Sequence, residues 1–308
     1  MYYFIVNPKS RSGYGMEIWK RIQLQLQEHD ISYQVIHTTK PGHATKLANH
    51  LSSDQKQKTV IVLGGDGTLN ETINGILPNS AITLGYIPTG SGNDLARSLS
   101  FCSDPLEALA NLLSSVATVE EIDYGTLQLE DGSSHRFVVS CGIGYDASIC
   151  NGISHSFFKK LFNVLHLGKL GYVALGIRHL FTEKTCNGTL ILDDMETVPI
   201  NHLFFMSSHI HPYEGGGFAF CPNAHYADGA LDLCVVEAKH IPKRIFILLC
   251  ALLKKHTHLK SVKIYRCQKA VLHLDTPMIL HTDGECNYGK VKTLTVSASP
   301  YDHYRLIR

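Results

Sequence analysis

Four short segments combine carboxylates and glycines, two of them with hydroxyls as well, in patterns that suit phosphate chemistry. The richest is Gly64-Gly65-Asp66-Gly67-Thr68-Leu69-Asn70-Glu71, directly after the apolar run Val60–Leu63. Glycine lets a backbone approach an anion, and the first-turn N–H groups of a helix have no intrahelical partner. A strand that empties through glycines into a helix therefore makes a phosphate cradle. Asp66 reads either as a helix cap or as a carboxylate aimed at phosphates through Mg²⁺, and three glycines exceed what a cap requires. Pro88-Thr89-Gly90-Ser91-Gly92-Asn93-Asp94 repeats the pattern, with Asp94 as a second carboxylate; a capped turn into a helix at Leu95 is the plainer alternative. In Asp283-Gly284-Glu285, one carboxylate could take a proton from an attacking hydroxyl while the other stays ionised, although Asp-Gly is also an everyday hairpin turn. Ala227-Asp228-Gly229-Ala230 is another Asp-Gly turn, able to hold a metal through Asp228 and nearby carbonyls, and by itself it reads as a turn.

Other patterns point away from common alternatives. His209 and His211 have the spacing of a metal pair on a strand, but no Cys or carboxylate with zinc spacing joins them, and Glu214 is a weak third ligand. Eighteen histidines make such pairs ordinary. Gly168-Lys169 is followed by Leu170 and lacks the earlier glycine of a P-loop, and no G-x-G-x-x-G follows the first strand. A P-loop ATPase and a Rossmann dehydrogenase are both disfavoured.

These segments need elements to position them. Strand-like runs at Tyr2–Val6, Tyr33–His37, Val60–Leu63 and Ile82–Ile87 alternate with helical patterns, including Ile18, Trp19, Ile22 and Leu26. Such alternation predicts a mainly parallel sheet covered on both faces, with ligands beyond the carboxyl ends of its strands. The loops after all four strands are polar, so they converge on that edge. After Asp123-Tyr124-Gly125 short alternating runs take over, among them Arg136–Cys141, Leu231–Val236 and Met278–His281, and predict a β-rich second domain. Helical stretches interrupt it near 153–183 and 242–255.

Composition sets bounds. The 308 residues are 44% hydrophobic, enough for two domains with real cores, and the net charge of +1 gives no sign of nucleic-acid binding. Residues 1–124 hold 9 Lys/Arg against 12 Asp/Glu, and residues 125–308 hold 19 against 15, a mildly basic half that would suit an anionic membrane surface. Nine scattered cysteines without a C-x-x-C pair predict reduced thiols and a cytoplasmic protein, and Met1–Val6 reads as a first strand, not a signal peptide. No apolar run reaches the ~18 residues that span a bilayer. The apolar stretch with interspersed Lys, Arg and His from Phe157 to Phe181 reads equally as a lipid-seating surface or as a helix packed on the β-domain.

Together Val6-Asn7-Pro8, the two glycine loops through Leu95-Ala96, and Asp283-Gly284-Glu285 resemble the diacylglycerol kinase catalytic family, which includes the sphingosine and ceramide kinases, and most closely its soluble bacterial members. The resemblance runs nearly the whole chain, with the family's motif order and spacing. It implies an α/β N-terminal nucleotide-binding domain with a mainly parallel sheet, like the NAD kinase and phosphofructokinase cores, plus a C-terminal β-sandwich, with the active cleft between them. The domains would be residues 1–124, rejoined by about 290–308, and a lipid-substrate domain at 125–289. ATP would lie against Asn7, Pro8, Lys9, Ser10, Gly13, Thr38, Gly65, Asp66, Gly67, Thr68, Leu69, Asn70, Glu71 and Ser91. Asp283 would be the base with Glu285 beside it, and Asp66, Asp94 and Asp123 would organise Mg²⁺ and water. A structural Mg²⁺ would sit on Asp228 with the carbonyls of His225 and Ala230, although Ala227 stands where relatives often carry an acidic residue.

The resemblance thus implies an ATP- and Mg²⁺-dependent lipid kinase of phospholipid metabolism. Its first-choice reaction turns diacylglycerol into phosphatidic acid. The enzyme would be cytoplasmic, visit the membrane surface without spanning it, bind no nucleic acid and be compatible with a homodimer. Two rivals stand beside it: a kinase acting on NAD, and a non-catalytic regulator of the same fold that binds nucleotide or lipid.

Overall fold

The computed structural model describes residues 1–155 and 168–308. Two compact units divide the chain, one of residues 1–122 with 303–308 and one of residues 123–302.

In the first unit, β1 (Tyr2–Val6), β2 (Tyr33–His37), β3 (Lys58–Gly64) and β4 (Ile82–Pro88) alternate with α1 (Tyr14–Glu28), α2 (His43–Ser52), α3 (Asp66–Gly75), α4 (Asp94–Ser98) and α5 (Pro105–Leu113). All four strands run parallel in the order β2-β1-β3-β4, with Ile36, Ile5, Val62 and Tyr86 in register. α1 buries the face formed by Ile18, Trp19, Ile22 and Leu26, and the Trp19 ring lies 5.2 Å from that of Phe4. Each such side chain contributes about 1.5–3 kcal/mol by leaving water. Asp104 caps α5 by accepting the N–H groups of Leu106 and Glu107 at 2.9 and 3.0 Å, with Pro105 opening the helix. The chain's last strand returns here, setting Arg305 and Leu306 parallel to Thr83 and Leu84.

β5 (Val119–Leu129) leads into the second unit, whose further elements are β6 (Ser134–Phe137), β7 (Ser140–Gly144), α6 (Tyr145–His155), α7 (Gly168–Thr182), β8 (Cys186–Leu192), β9 (Glu196–His209), β10 (Leu231–Glu237), α8 (Ile241–Leu252), β11 (Val262–Cys267), β12 (Lys269–Thr282) and β13 (Lys290–Ile307). Pairing within it is antiparallel. The long strands β9 and β12 each pair with both β7 and β8, β9 also with β10 and β12 also with β13. Leu190, Leu233, Leu272, Leu280 and Val296 fill its core.

Two expectations need correction. The return to the first unit begins at His303, not near residue 290, because residues 290–297 are held in antiparallel register by β12. The single strand expected over Arg136–Cys141 is broken at Val138 and Val139, whose N–H groups, with that of Ser140, donate to the Asp283 carboxylate instead of a neighbouring strand. Phe157–Phe162, the start of the lipid-seating stretch, lies outside the described residues. No described helix is long and apolar enough to cross a membrane.

Candidate active site

The glycine loops of the first unit meet backbone to backbone. A Cβ on Gly90 would lie 2.6 Å from the Gly65 Cα and 2.7 Å from Asn93 Oδ1, and one on Gly65 would lie 3.1 Å from the Gly90 Cα. Only glycine permits this approach. The Thr89 N–H also donates to the Gly64 carbonyl at 2.8 Å, and Asn93, at φ 52°, closes the second loop by accepting the Gly90 N–H at 3.0 Å.

Gly65 is the N-cap of α3, so Asp66 is inside the helix and does not cap it. Its Oδ2 accepts the Asp94 N–H at 3.1 Å. A Cβ on Gly92 would lie 3.3 Å from Asp66 Oδ2 and 3.7 Å from Asp94 Oδ2, so both carboxylates converge on the face of that glycine. Arg97 pairs with the other oxygen of Asp94. Two convergent hard oxygens beside a glycine shelf are a donor set that fits Mg²⁺ and phosphate.

Around this centre the other expected nucleotide residues form a frame. Asn7 donates to Thr68 Oγ1 at 2.9 Å and accepts the Lys9 N–H at 3.1 Å, while the Lys9 side chain is exposed. The hydroxyls of Ser10 and Thr89 are hydrogen-bonded at 2.8 Å. Arg11, Ser12 and Gly13 all have positive φ, which curls the loop after Pro8 back against α1. Glu71 accepts the N–H groups of Gly42 and Ala44 at 2.8 and 3.1 Å, tying down the loop that follows Thr38. Thr38 continues the sheet by donating its N–H to the Val6 carbonyl. Leu69 is fully buried in the core and Asn70 nearly so, whereas Ser91 is exposed at its loop tip. Gly67 occupies the first turn of α3.

Sequence reasoning missed Tyr86. It is buried, its hydroxyl lies 3.5 Å from Asp66 Oδ1, and burial together with the charges of Asp66 and Asp94 pushes that hydroxyl well above the usual phenol range. The signal was a polar-tipped residue inside the apolar run Ile82–Ile87.

In the second unit, Asp283 and Gly284 are the two central residues of a hairpin turn, with φ of 46° and 83°. Thr282 and Glu285 exchange backbone hydrogen bonds across it at 3.0 and 2.8 Å. The everyday-turn reading is therefore structurally right. The Asp283 side chain does more than turn the chain. Its oxygens accept the N–H groups of Val138, Val139 and Ser140 at 2.9, 2.8 and 3.0 Å, and its own N–H donates to the Ser140 carbonyl. Glu285 is exposed on the same hairpin.

Behind the hairpin is a buried polar cluster. The Gly284 N–H lies 3.2 Å from His281 Nδ1, and the ring turns its Nε2 into the cluster. That nitrogen faces Glu214 Oε1 at 2.9 Å and Asp146 Oδ2 at 3.2 Å. His209 Nε2 lies 3.3 Å from Glu214 Oε2, and its Nδ1 donates to the His211 carbonyl at 3.0 Å. A Cβ on Gly142 would come within 1.9 Å of Asp146 Oδ2, so glycine makes room for the cluster. Burial pushes the Asp146 carboxyl up. Burial also opposes ionisation of Glu214, yet the imidazoles of His281 and, less, His209 beside it hold it well below the usual carboxylate range, so Glu214 is the ionised member. Sequence reasoning set His209, His211 and Glu214 aside for want of partners. The partners come from α6 and β12, far away in sequence.

Asp123 is fully buried and lies in the second unit. Its Oδ2 accepts the N–H groups of Asp228 and Gly229 at 2.9 and 2.7 Å, so it fastens that turn. The turn fits a structural Mg²⁺ poorly. Asp228 Oδ2 is 2.6 Å from Arg266 Nη2, and Oδ1 accepts the Ala230 N–H at 3.1 Å, so both oxygens of the carboxylate are already engaged. His225 stacks on Tyr226, with ring centroids 4.9 Å apart.

Comparison with known proteins bears on this arrangement. Residues 1–127 match the diacylglycerol kinase catalytic domain, and residues 139–301 match the YegS C-terminal NAD kinase beta sandwich-like domain. The chain is 27% identical over 302 residues to the Bacillus subtilis protein named "Putative lipid kinase YtlR", covering 97% of each chain. It is 28% identical over 287 residues to a diacylglycerol kinase of Staphylococcus saprophyticus, covering 91% of this chain and 87% of that one. The crystal structure of a "putative diacylglycerol kinase" from Bacillus anthracis shares the fold with a TM-score of 0.78 at 24% identity, over 99% of this chain and 93% of that one. The α/β unit and the β-sandwich unit are those the sequence implied, and the chain belongs to the diacylglycerol kinase-like family of lipid kinases.

Proposed function

We propose that the protein transfers the γ-phosphate of ATP to a lipid hydroxyl, with diacylglycerol as acceptor and phosphatidic acid as product. The observation that carries this reading is the backbone contact of Gly65 and Gly90 beside the convergent carboxylates of Asp66 and Asp94. Phosphoryl transfer needs mainly positioning and charge neutralisation, and that arrangement suits both.

Asn7, Lys9, Ser10, Gly13, Thr38, Gly65 to Glu71 and Ser91 hold the nucleotide. Asp66 and Asp94 would hold Mg²⁺, which when bound neutralises phosphate charge. Glu285 accepts the proton of the attacking hydroxyl. Asp283 keeps the hairpin in place, since its oxygens already accept three backbone N–H groups. This division of labour replaces a base role for Asp283 with a positioning one. No structural metal is assigned to Asp228, because Arg266 and the Ala230 N–H occupy both of its oxygens.

The test is transfer of labelled phosphate from ATP in a total lipid extract, with the product identified by mass and NAD offered in a parallel reaction. A labelled phosphatidic acid, lost in Asp66→Ala, is expected. Label in NAD, or in no lipid despite measurable ATP binding, would reject the proposal.

A further inference from the structure

Helix α8 is apolar on both sides. Its inner face is fixed by Ile247, Ala251 and the buried Arg244, whose guanidinium donates to the carbonyls of Leu180, Glu183 and Ala238 and lies 4.5 Å over the Phe204 ring. Its outer face exposes Ile245 at 39%, Phe246 at 57%, Leu249 at 54% and Leu252 at 61%, and Leu253, just past its end, is 69% exposed. Arg244 also ties α8 to the end of α7, where Ile177 and Phe181 are more than half exposed. An isolated exposed leucine needs no explanation, but a continuous stripe of this kind marks an interaction surface.

Charge identifies the partner. Between Glu237 and Asp275 the chain carries nine Lys and Arg and no Asp or Glu. Arg244 is buried, and Lys263, Arg266 and Lys269 pair with Glu237, Asp228 and Asp194, so the surplus is carried by the exposed Lys239, Lys243, Lys254, Lys255 and Lys260. Lys239 and Lys243 are exposed at the start of the helix, and Lys254 and Lys255 just past its end. An apolar stripe between clusters of lysine suits an anionic lipid surface, where the stripe enters the acyl boundary and the lysines meet head groups. A second copy of the chain fits less well, since self-pairing of this face would oppose lysine to lysine.

We infer that the outer face of α8, continued by Ile177 and Phe181 of α7, seats the protein on anionic bilayers. The inference deepens the lipid-kinase reading by naming the surface that reaches the substrate's membrane. Its test contains neither ATP nor diacylglycerol, so it stands or falls separately from the reaction.

The full chain is sedimented with vesicles of phosphatidylcholine alone or mixed with phosphatidylglycerol. Binding about tenfold tighter to the mixed vesicles, weakening with added salt, is expected. Phe246→Ser with Leu249→Ser should lose about tenfold of that binding, with thermal unfolding unchanged because both side chains are exposed. As a second reading, Phe246→Trp adds an exposed reporter to a protein whose single tryptophan, Trp19, is buried. A blue shift of its emission on mixed vesicles is expected. Wild-type binding by the double serine variant, no shift from Trp at 246, or loss of a dimer instead of vesicle binding in the serine variant would each overturn the inference.

Discussion

The Asp283 carboxylate accepts the Ser140 N–H at 3.0 Å, joining residues 143 positions apart. With Val138 and Val139 as further donors, it splits what would be one strand and pins the hairpin that presents Glu285. Asp283→Asn places an amide among backbone donors and should cost about 2–3 kcal/mol in denaturant unfolding as well as activity. Glu285→Gln should leave stability within about 0.5 kcal/mol and lower kcat by ~10²–10⁴ with little change in the KM for ATP. Measuring both quantities for both variants separates the roles. A Glu285→Gln enzyme at wild-type kcat would return the base role to Asp283.

Gly90→Ala tests the loop contact. Its Cβ would need the space of the Gly65 Cα at 2.6 Å, so the two loops must part. ATP affinity, followed by titration calorimetry, should fall by more than about tenfold, equivalent to ~1.4 kcal/mol. Gly132→Ala is the control for an added methyl group: nothing lies within 4 Å of its Cβ, and with φ at 82° it carries a backbone cost but no clash.

His281→Phe removes the group that supports the hairpin through Gly284 and leaves Glu214 ionised and buried without it. Unfolding free energy should drop by about 3–5 kcal/mol. His281→Gln offers one acceptor and one donor and should recover part of both the stability and kcat. Equal loss in the two variants would show that shape alone matters there.

His256 supplies a pH dependence. It is buried, its Nε2 donates to the Phe220 carbonyl at 2.9 Å, and burial lowers its pKa from 6.5. The folded state therefore binds this proton less readily than the unfolded chain, and stability rises with pH across the interval between the two values. The contribution is complete above 6.5 and declines as pH falls from there towards the depressed folded value. His256→Gln should flatten that part of a curve of unfolding free energy against pH.

Local rules carried the first unit. The alternation of apolar runs and helices, the Asp104-Pro105 helix start and the α1 stripe of Ile18, Trp19, Ile22 and Leu26 depend on neighbours within a few residues, so they are legible in order along the chain. The glycine loops and the Asp-Gly-Glu hairpin were legible for the same reason, and their joint order identified the family. Side-chain partnership across long separations was not legible. Asp123 fastening the 228–229 turn, Arg266 neutralising Asp228, and Asp146, Glu214 and His281 meeting beneath the hairpin each join residues brought together only by strand pairing and helix docking. Sequence alone determined which residues could bind phosphate or move a proton, because residue type and local backbone freedom fix that. Tertiary structure decided which carboxylates are left to do it, because a buried carboxylate is committed to whichever donors the fold sets against it.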